Sequence, residues 1–473
     1  MVHALRSRRV IAPQGEVDGV VVIEGEHIVA VKPASELDAN IPVEDLGSLA
    51  LLPGLIDVHT HINEPGRTEW EGFATATRAA AAGGFTTVID MPLNCLPETT
   101  DVNALELKRD AASTGGPGGT NQCTIDYALW GGCVDGNQHQ IEPLALAGVP
   151  GFKSFLIYPG CDGFTAIDKE NLVAAIPYIA RTGLPLLVHA ELDRTINAAF
   201  AYLNEAGADW RKYATYMAYR PDEAELEAIE MLLELCRETP FRLHIVHLST
   251  AKALPLIAAA KREGLPVSVE TCPHFLHCTA EEIPDGATLF KAAPPIRSAA
   301  NRELLWQALR DGTIDLIATD HSPCPPSMKR LEATQPGEEV GRFDQAWGGI
   351  ASLSTAISVL WTECTRREIS LARLAEWTSA APARLAGLNS HVGSIEPGKH
   401  ANLVAFDPEA SFVVTPEILH YRHKISPYMG ETLRGAVRST WLRGERVFTR
   451  TDAGDAFPGA PRGREYALSS SHS

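Results

Sequence analysis

The stretch LLPGLIDVHTHINEPG, residues 51–66, indicates both the fold and the chemistry of this chain. Residues 51–56 form a short apolar run that is typical of a buried strand. His59 and His61 follow it directly. Because alternate side chains of a strand point the same way, the two imidazoles are expected to share a face. Neutral imidazole is a common metal ligand, so the pair predicts a metal site, although two surface histidines in a turn would give the same pattern.

Short apolar runs recur along the chain, and helix-like segments separate most of them. The runs are LLPGLID (51–57), GFTTVID (84–90), TIDYALWGG (124–132), GVPGFKSFL (148–156), LPLLVHA (184–190), FRLHIVH (241–247), LPVSVETC (265–272) and IDLIATD (314–320). Strands that alternate with helices predict a parallel sheet. Eight such strands predict an α/β fold of the (β/α)8 TIM-barrel type.

The two ends of the chain have a different pattern. Valine and isoleucine alternate with polar residues around Gly-Glu turns at 8–32, and the same style returns at 392–448. This pattern predicts antiparallel strands, and we expect a smaller β-sandwich domain built from both termini. The expected division is residues 1–52 for the N-terminal part of the sandwich, 53–390 for the barrel, 391–456 for the C-terminal part of the sandwich, and 457–473 for a flexible tail.

Composition excludes several classes of protein. The 473 residues are 45% hydrophobic, which is ample for a large core. A formal charge of −18 without a long basic run argues against nucleic acid and acidic membranes as partners. Nine scattered cysteines without a Cys-x-x-Cys pair argue against a disulfide framework. No apolar stretch approaches the ~20 residues that span a membrane. We therefore expect a cytoplasmic protein.

Chemically versatile side chains fall at the ends of the predicted strands, where barrels of this type place their active sites. They are His59, His61, Lys153, His189, His247 and Asp320. Each has an ordinary explanation when taken alone: a histidine bonded within the core, an aspartate that caps a helix, or a lysine paired with a carboxylate. A buried neutral lysine can instead react with carbon dioxide to give a carbamate. Four histidines, that carbamate and one aspartate would then hold a binuclear metal centre.

The motifs PGLIDVHTH, GFKSF, VHAE, VHLST and ATDHSP occur in that order. With these motifs in this order, the chain resembles the cyclic-amidohydrolase branch of the amidohydrolase superfamily. The resemblance implies that the six residues are metal ligands and that Lys153 is carboxylated (N6-carboxylysine). It implies two divalent ions, zinc first and manganese, cobalt or iron as alternatives. It also implies that Asp320 is the catalytic base and acid, and that the chain forms a homo-oligomer, a tetramer or a dimer.

Longer motifs resemble the allantoinase family within that branch. They are HINEPGRTEWEGF (61–73), MPLNCLPETT (91–100), DHSPCPPSMK (320–329), AWGGIASL (346–353) and YRHKISPYMG (421–430). The resemblance implies metal-dependent hydrolysis of the hydantoin ring of allantoin to allantoate, a step of purine (ureide) degradation. One departure is the alanine pair at 292–293, where relatives often carry a serine, cysteine or asparagine.

Three alternatives stay open. Dihydroorotases resemble the chain at every metal ligand, but they typically place a carboxylate-binding arginine two residues after the second histidine, where this chain has Asn63. Allantoin has no carboxylate, and amide side chains can both donate to it and accept from it, so Asn63 and Asn94 are the candidate substrate contacts. The position of Asn94 is explained equally well by a role in a turn. A hydantoinase or dihydropyrimidinase activity is the second alternative. The third is a non-enzymatic scaffold of the same fold, which the complete ligand set disfavours.

Overall fold

The computed structural model describes residues 2–116, 118–333 and 337–468. In chain order its strands are β1 (Val2–Ala12), β2 (Gly15–Glu24), β3 (His27–Lys32), β4 (Val43–Asp45), β5 (Ala50–Pro53), β6 (Leu55–Thr60), β7 (Phe85–Asp90), β8 (Asp126–Leu129), β9 (Gly131–Gly132), β10 (Phe152–Phe155), β11 (Leu186–His189), β12 (Leu243–Ile245), β13 (Val267–Thr271), β14 (Leu316–Ile317), β15 (Leu403–Val413), β16 (Thr432–Leu442), β17 (Glu445–Thr451) and β18 (Gly454–Ala456).

The α-helices lie mostly between the parallel strands. They are α1 (Phe73–Ala82), α2 (Val102–Thr114), α3 (Ile141–Leu146), α4 (Lys169–Thr182), α5 (Asp193–Glu205), α6 (Tyr213–Tyr219), α7 (Asp222–Glu238), α8 (Leu254–Arg262), α9 (Pro273–His277), α10 (Ala299–Asp311), α11 (Ala356–Arg366), α12 (Leu371–Ala375) and α13 (Ala381–Leu385). Among the described residues, no helix is long and apolar enough to cross a membrane.

Strands β6 to β14 carry the α/β part of the fold. Within the described residues they form a three-stranded sheet, β6-β7-β8, and a six-stranded sheet, β9 to β14 in sequential order. Every pairing in both sheets is parallel. Each of the eight predicted runs overlaps a strand of this set. The α/β class that the alternating pattern predicts is therefore confirmed.

Helix α4 shows why the segments between the strands are helical. The carboxylate of Asp168 caps its N-terminus by accepting from the Asn171 amide, and Gly183 ends it in the left-handed conformation with φ 68°. Its apolar residues repeat at helical spacing, so one face packs on the core. The buried residues of that face are Leu172, Ala175, Ile176 and Ile179.

Both chain ends contribute to one further sheet. Its order is β18-β17-β16-β15-β5-β1-β2-β3, and β4 pairs with β1. The junction between the two termini is the antiparallel pairing of β15 with β5, where Leu403 lies opposite Pro53. The structure therefore joins the N-terminal and C-terminal β-rich segments, as expected, and it does so through one continuous nine-stranded sheet.

The run at 51–56 is two strands, and the prediction of a single strand was wrong. The chain leaves the nine-stranded sheet after β5 and enters the parallel sheet as β6. Gly54 is the crossing point, and its amide donates to the Asn402 carbonyl at 2.8 Å. The Thr86 side chain lies against Gly54 so closely that no Cβ would fit there. A glycine is therefore required where the chain passes from one sheet to the other.

Residues 457–468 of the predicted flexible tail lie against the parallel strands. The Tyr466 amide donates to the Tyr127 carbonyl at 2.7 Å, and the Leu468 amide donates to the Gly148 carbonyl at 3.0 Å. Arg109 also donates to the Glu465 carboxylate at 2.9 Å. This part of the tail has fixed partners, its flexibility stays a prediction, and residues 469–473 lie outside the described residues.

Candidate metal centre

The ends of β6 and β14 meet because Asp57 ties them together. Its buried carboxylate accepts from the Thr319 amide at 2.9 Å and from the Thr60 hydroxyl at 2.7 Å. The residues that follow Thr60 and Thr319 are His61 and Asp320. An aspartate inside an apolar strand thus places two of the predicted ligands side by side.

His59, His61 and Asp320 form a buried cluster whose ligand atoms lie within 4.8 Å of one another, close enough to share a metal ion. Nε2 of His59 is 3.3 Å from Oδ1 of Asp320, and Nε2 of His61 is 3.5 Å from the same oxygen. Burial opposes ionisation of Asp320, but the two neighbouring histidines outweigh it and lower the pKa of this carboxyl. Asp320 is therefore an anion beside two imidazole nitrogens.

Glu270 fixes how His59 is oriented. Its Oε1 is 2.5 Å from Nδ1 of His59, and its Oε2 is 3.0 Å from Nε2 of His244. Burial opposes ionisation of Glu270, yet these histidines hold its pKa well below the ordinary range. Nδ1 of His59 therefore carries the proton and donates to Glu270. Nε2 of His59 is then directed at the Asp320 carboxylate, where both atoms could bind the same metal ion.

His189 and His247 form a second pair, at the ends of β11 and β12. Nδ1 of His189 is 2.9 Å from Nε2 of His247. Nε2 of His189 donates to Glu191 at 2.7 Å, and Arg220 donates to the same carboxylate at 2.6 Å. Burial lowers the pKa of His189 to about 4 and the pKa of His247 well below its usual value. Both imidazoles are thus neutral at physiological pH, the form that binds metals.

Lys153 lies on β10 and is fully buried. Among the described residues its Nζ has no hydrogen-bond partner, and it lies 4.5 Å from the centroid of the Phe155 ring. Burial lowers the pKa of Lys153 to about 7. A substantial fraction of this amine is therefore unprotonated near neutral pH, and an unprotonated amine is the form that reacts with carbon dioxide.

The residues present fit a divalent metal ion. Two groups of neutral or anionic ligand atoms point inward, while Lys153 Nζ and Nδ1 of His247 are buried without partners in the described structure. Such orphaned polar atoms are rare in protein interiors and call for a ligand or another explanation. Nitrogen-rich ligand sets with one or two carboxylate-type oxygens suit zinc, manganese, cobalt or iron.

The backbone is strained at this site. Positive φ angles occur at Asn63 (67°), Asn94 (64°), His247 (37°) and Asp320 (46°). Non-glycine residues adopt this region at a cost of roughly 1–3 kcal/mol, and such strain clusters at functional sites. Two of the four are predicted ligands and the other two are the predicted substrate contacts.

A cleft of about 480 Å³ opens above the cluster, and its lining includes all of the predicted ligands except Lys153. Asn94 lines this cleft, and its Nδ2 lies 3.3 Å from Nδ1 of His61. Asn63 is buried and donates instead to the Pro323 carbonyl at 3.4 Å. The structure therefore brings Asn94, but not Asn63, to the cleft wall.

The acidic residues that orient the ligands were missed in the sequence. Glu191 stands in the motif VHAE, and Glu270 is an acid within the otherwise apolar run LPVSVETC. A carboxylate inside a buried strand needs a partner, so both glutamates could have been predicted to pair with a buried polar group. Arg220, which pairs with Glu191, follows a helix in a long insertion and carried no such signal.

Comparisons with known proteins agree with this geometry. The amidohydrolase family model matches residues 50–447. An allantoinase of Streptomyces avermitilis is 47% identical over 94% of this chain and 94% of its own length. An allantoinase of Arabidopsis thaliana is 42% identical over 94% of this chain and 87% of its own length. Among solved structures, the L-hydantoinase (dihydropyrimidinase) of Arthrobacter aurescens superposes with a TM-score of 0.89 at 29% identity, covering 98% of this chain and 99% of that one.

Proposed function

This chain belongs to the amidohydrolase family, and we propose that it is an allantoinase that hydrolyses the hydantoin ring of allantoin to allantoate. The observation that carries the proposal is the buried cluster of His59, His61 and Asp320 beneath an open cleft. The family and the cluster support metal-dependent hydrolysis of a cyclic amide. The substrate follows from allantoinase relatives that match nearly the whole chain.

Two divalent ions would be held by the two ligand groups. His59, His61 and Asp320 form one group, His189 and His247 form the other, and a carboxylated Lys153 would serve both. Such ions, when bound, polarise a carbonyl and acidify a water molecule. Zinc is the proposed metal, with manganese, cobalt or iron as alternatives.

Asp320 is the proposed base and acid. Its carboxylate is ionised, lines the cleft and lies beside two histidine nitrogens. The carboxylate would accept the proton of the attacking water and then deliver it to the departing ring nitrogen. One carboxylate thus acts first as base and then as acid, which requires it to stay within hydrogen-bond reach of both atoms.

Lys153 is proposed to be carboxylated. The unprotonated Nζ would form a bond to the carbon of carbon dioxide and release one proton, which gives N6-carboxylysine. The modification converts a cationic side chain into an anionic one, which suits a pocket that already contains four histidines. The absence of a hydrogen-bond partner for Nζ within the described structure supports this proposal.

The substrate contacts are proposed to be neutral. Allantoin carries a ring and a ureido arm but no carboxylate, so amide groups can both donate to it and accept from it. Asn94 is the first candidate because it lines the cleft. Asn63 is retained as the second, although a contact with substrate would require it to leave the Pro323 carbonyl.

We propose that the parallel strands close into a (β/α)8 barrel over residues 53–390. Closure is supported where β6 meets β14: the His61 amide donates to the His321 carbonyl at 2.8 Å, and Thr60 and His321 form a parallel bridge. On the other side, β8 and β9 are consecutive in the chain and are separated only by Trp130. The remaining domain bounds at 1–52, 391–456 and 457–473 stay predictions. So do a tetrameric or dimeric assembly and a cytoplasmic location.

The proposed function is tested by assaying the purified protein against allantoin, dihydroorotate and plain hydantoin in parallel. We expect turnover of allantoin to exceed that of dihydroorotate by at least ~100-fold, about 2.7 kcal/mol, because Asn63 replaces a carboxylate-binding arginine. Comparable rates on dihydroorotate would refute the allantoinase assignment and leave the metal centre standing. A preference for hydantoin would favour the hydantoinase alternative, and inactivity on all three would favour a scaffold.

A further inference from the structure

Two buried lysines, Lys291 and Lys329, direct their ammonium groups at one short stretch of backbone. Lys291 is 7% exposed and Lys329 is 4% exposed. The stretch is residues 346–349, with the sequence Ala-Trp-Gly-Gly, called here the 346–349 segment. The partners that the described structure gives both ammonium groups are carbonyl oxygens of this segment.

Lys291 holds the two ends of the segment. Its Nζ donates to the Ala346 carbonyl at 2.6 Å, and its own carbonyl accepts from the Gly349 amide at 2.8 Å. Tyr216 contacts both this side chain and the neighbouring backbone. Its ring centroid lies 5.2 Å from Nζ of Lys291, and its hydroxyl donates to the Ala292 carbonyl at 2.6 Å. Residue 291 is thus fixed at both its side chain and its backbone.

Lys329 holds the middle and the far end of the segment. Its Nζ donates to the Trp347 carbonyl at 3.0 Å and also to the Gly349 carbonyl. The Trp347 amide donates back to the Met328 carbonyl at 2.8 Å. Three of the four carbonyls in the segment are therefore bound by lysine ammonium groups. A lysine side chain can donate these hydrogen bonds in either protonation state, so they persist although burial lowers the pKa of Lys291 to about 7 and the pKa of Lys329 to about 8.

The 346–349 segment is a wall of the cleft and lies close to the proposed base. All four of its residues line the cleft, as does Lys291. Gly349 has φ 151°, and a Cβ there would lie 2.6 Å from the Ser322 carbonyl. Ser322 is two residues from Asp320, so the segment packs directly on the loop that carries this carboxylate.

We propose that Lys291 and Lys329 are positioning residues for the hydrolysis, which fix the 346–349 segment as the cleft wall against which the cyclic ureide is held. This inference rests on the proposed function. A glycine pair has many accessible backbone conformations, and the two ammonium groups select one of them. The lysines act through the segment and do not exchange protons with the substrate.

The test replaces each lysine by methionine, which keeps the apolar stem and removes the donor. In Lys291→Met and Lys329→Met we expect the KM for allantoin to rise at least ~10-fold, because a misplaced wall weakens substrate binding. Metal content should remain at the wild-type level. The double variant should raise KM by clearly less than the product of the single effects, because both lysines hold the same segment.

Lys424→Met is the matched control. Lys424 also donates to a backbone carbonyl, that of Leu419, but it does not line the cleft. Its KM and kcat should equal those of the wild type. If Lys329→Met does not fold, Lys291→Met, which loses a single carbonyl contact, supplies the test. A wild-type KM in every folded variant would overturn the inference, as would equal losses of metal and activity. Turnover of allantoin by the unmodified protein decides the proposed function separately.

Discussion

Lys153 and Lys108 are both fully buried, yet their ammonium groups have opposite surroundings. Nζ of Lys108 lies 2.5 Å from Oδ2 of Asp90 and donates to the Met91 carbonyl at 2.8 Å. Burial opposes its charge, but Asp90 outweighs burial and raises the pKa of Lys108. Nζ of Lys153 has no partner among the described residues, and burial lowers its pKa to about 7.

The difference distinguishes a structural lysine, Lys108, from Lys153, which we propose to be reactive. An ion-paired lysine in the core stays charged and joins two elements, here α2 and the end of β7. An unpaired lysine in the core gives up its proton and becomes a nucleophile. Removal of Lys108 should therefore reduce stability, whereas removal of Lys153 should reduce activity and metal binding.

Lys153→Ala gives the largest expected effect. Turnover of allantoin should fall by at least ~10³-fold, about 4 kcal/mol at 1.36 kcal/mol per tenfold, and metal occupancy should fall with it. Circular dichroism should show an unchanged fold. Acetate or propionate should restore part of the rate by filling the space that the proposed carbamate would occupy. A near-normal rate with full metal content and no added acid would make Lys153 an ordinary core lysine.

Lys108→Met should act on stability instead. Breaking a buried ion pair leaves Asp90 as an uncompensated charge and typically costs about 3–5 kcal/mol. Denaturant unfolding measures the loss, and metal content should not change. Adding Asp90→Asn should recover much of the stability, since the amide oxygen can still accept from the Ile62 amide. If Lys108→Met alone were as stable as the wild type, the structural role of Lys108, and with it the difference from Lys153, would be refuted.

His277 extends the contrast to a partnered histidine. Nδ1 lies 2.9 Å from Glu363 and Nε2 lies 2.8 Å from Glu431. Burial opposes protonation, but the two glutamates outweigh it and raise the pKa of His277 to about 9. Its contribution to stability is complete below pH ~6.5, the unfolded-state pKa, and is lost as the pH rises through 9.

This predicts a loss on the order of 2 kcal/mol in the free energy of unfolding between pH 6.5 and 9. Denaturant unfolding across that interval measures it. His277→Gln is the control, and its stability should vary much less with pH over the same interval. An equal decline in both proteins would assign the pH dependence to other groups.

The sequence predicts local features of this molecule better than long-range ones. The alternation of strands and helices indicates the α/β class. The positions of His59 and His61 at the end of a predicted strand identify them as candidate metal ligands. The passage between two sheets at Gly54 could not be predicted, because it depends on pairing with residues near 402 and 84. The contact of Asn63 with Pro323 likewise joins residues 260 positions apart.

The same limit applies to the polar network around the ligands. Glu191 and Glu270 could have been noticed as acids in apolar runs, but their partners lie on other elements. Lys329 ends the motif DHSPCPPSMK and the 346–349 segment begins AWGGIASL, but the contacts of Lys291 and Lys329 depend on the backbone conformation at 346–349, which the motifs do not specify. Hydrophobic periodicity specifies which face of an element is buried, but not which carbonyl a buried ammonium group will contact.

Metal content measured together with activity tests the central claim most directly. The protein is stripped with a chelator, dialysed, and titrated with zinc, manganese, cobalt or iron(II) while turnover of allantoin is followed. We predict that stripping abolishes turnover and that activity returns in proportion to bound metal, up to roughly two ions per chain. Undiminished turnover of allantoin by protein free of divalent metal would contradict the account.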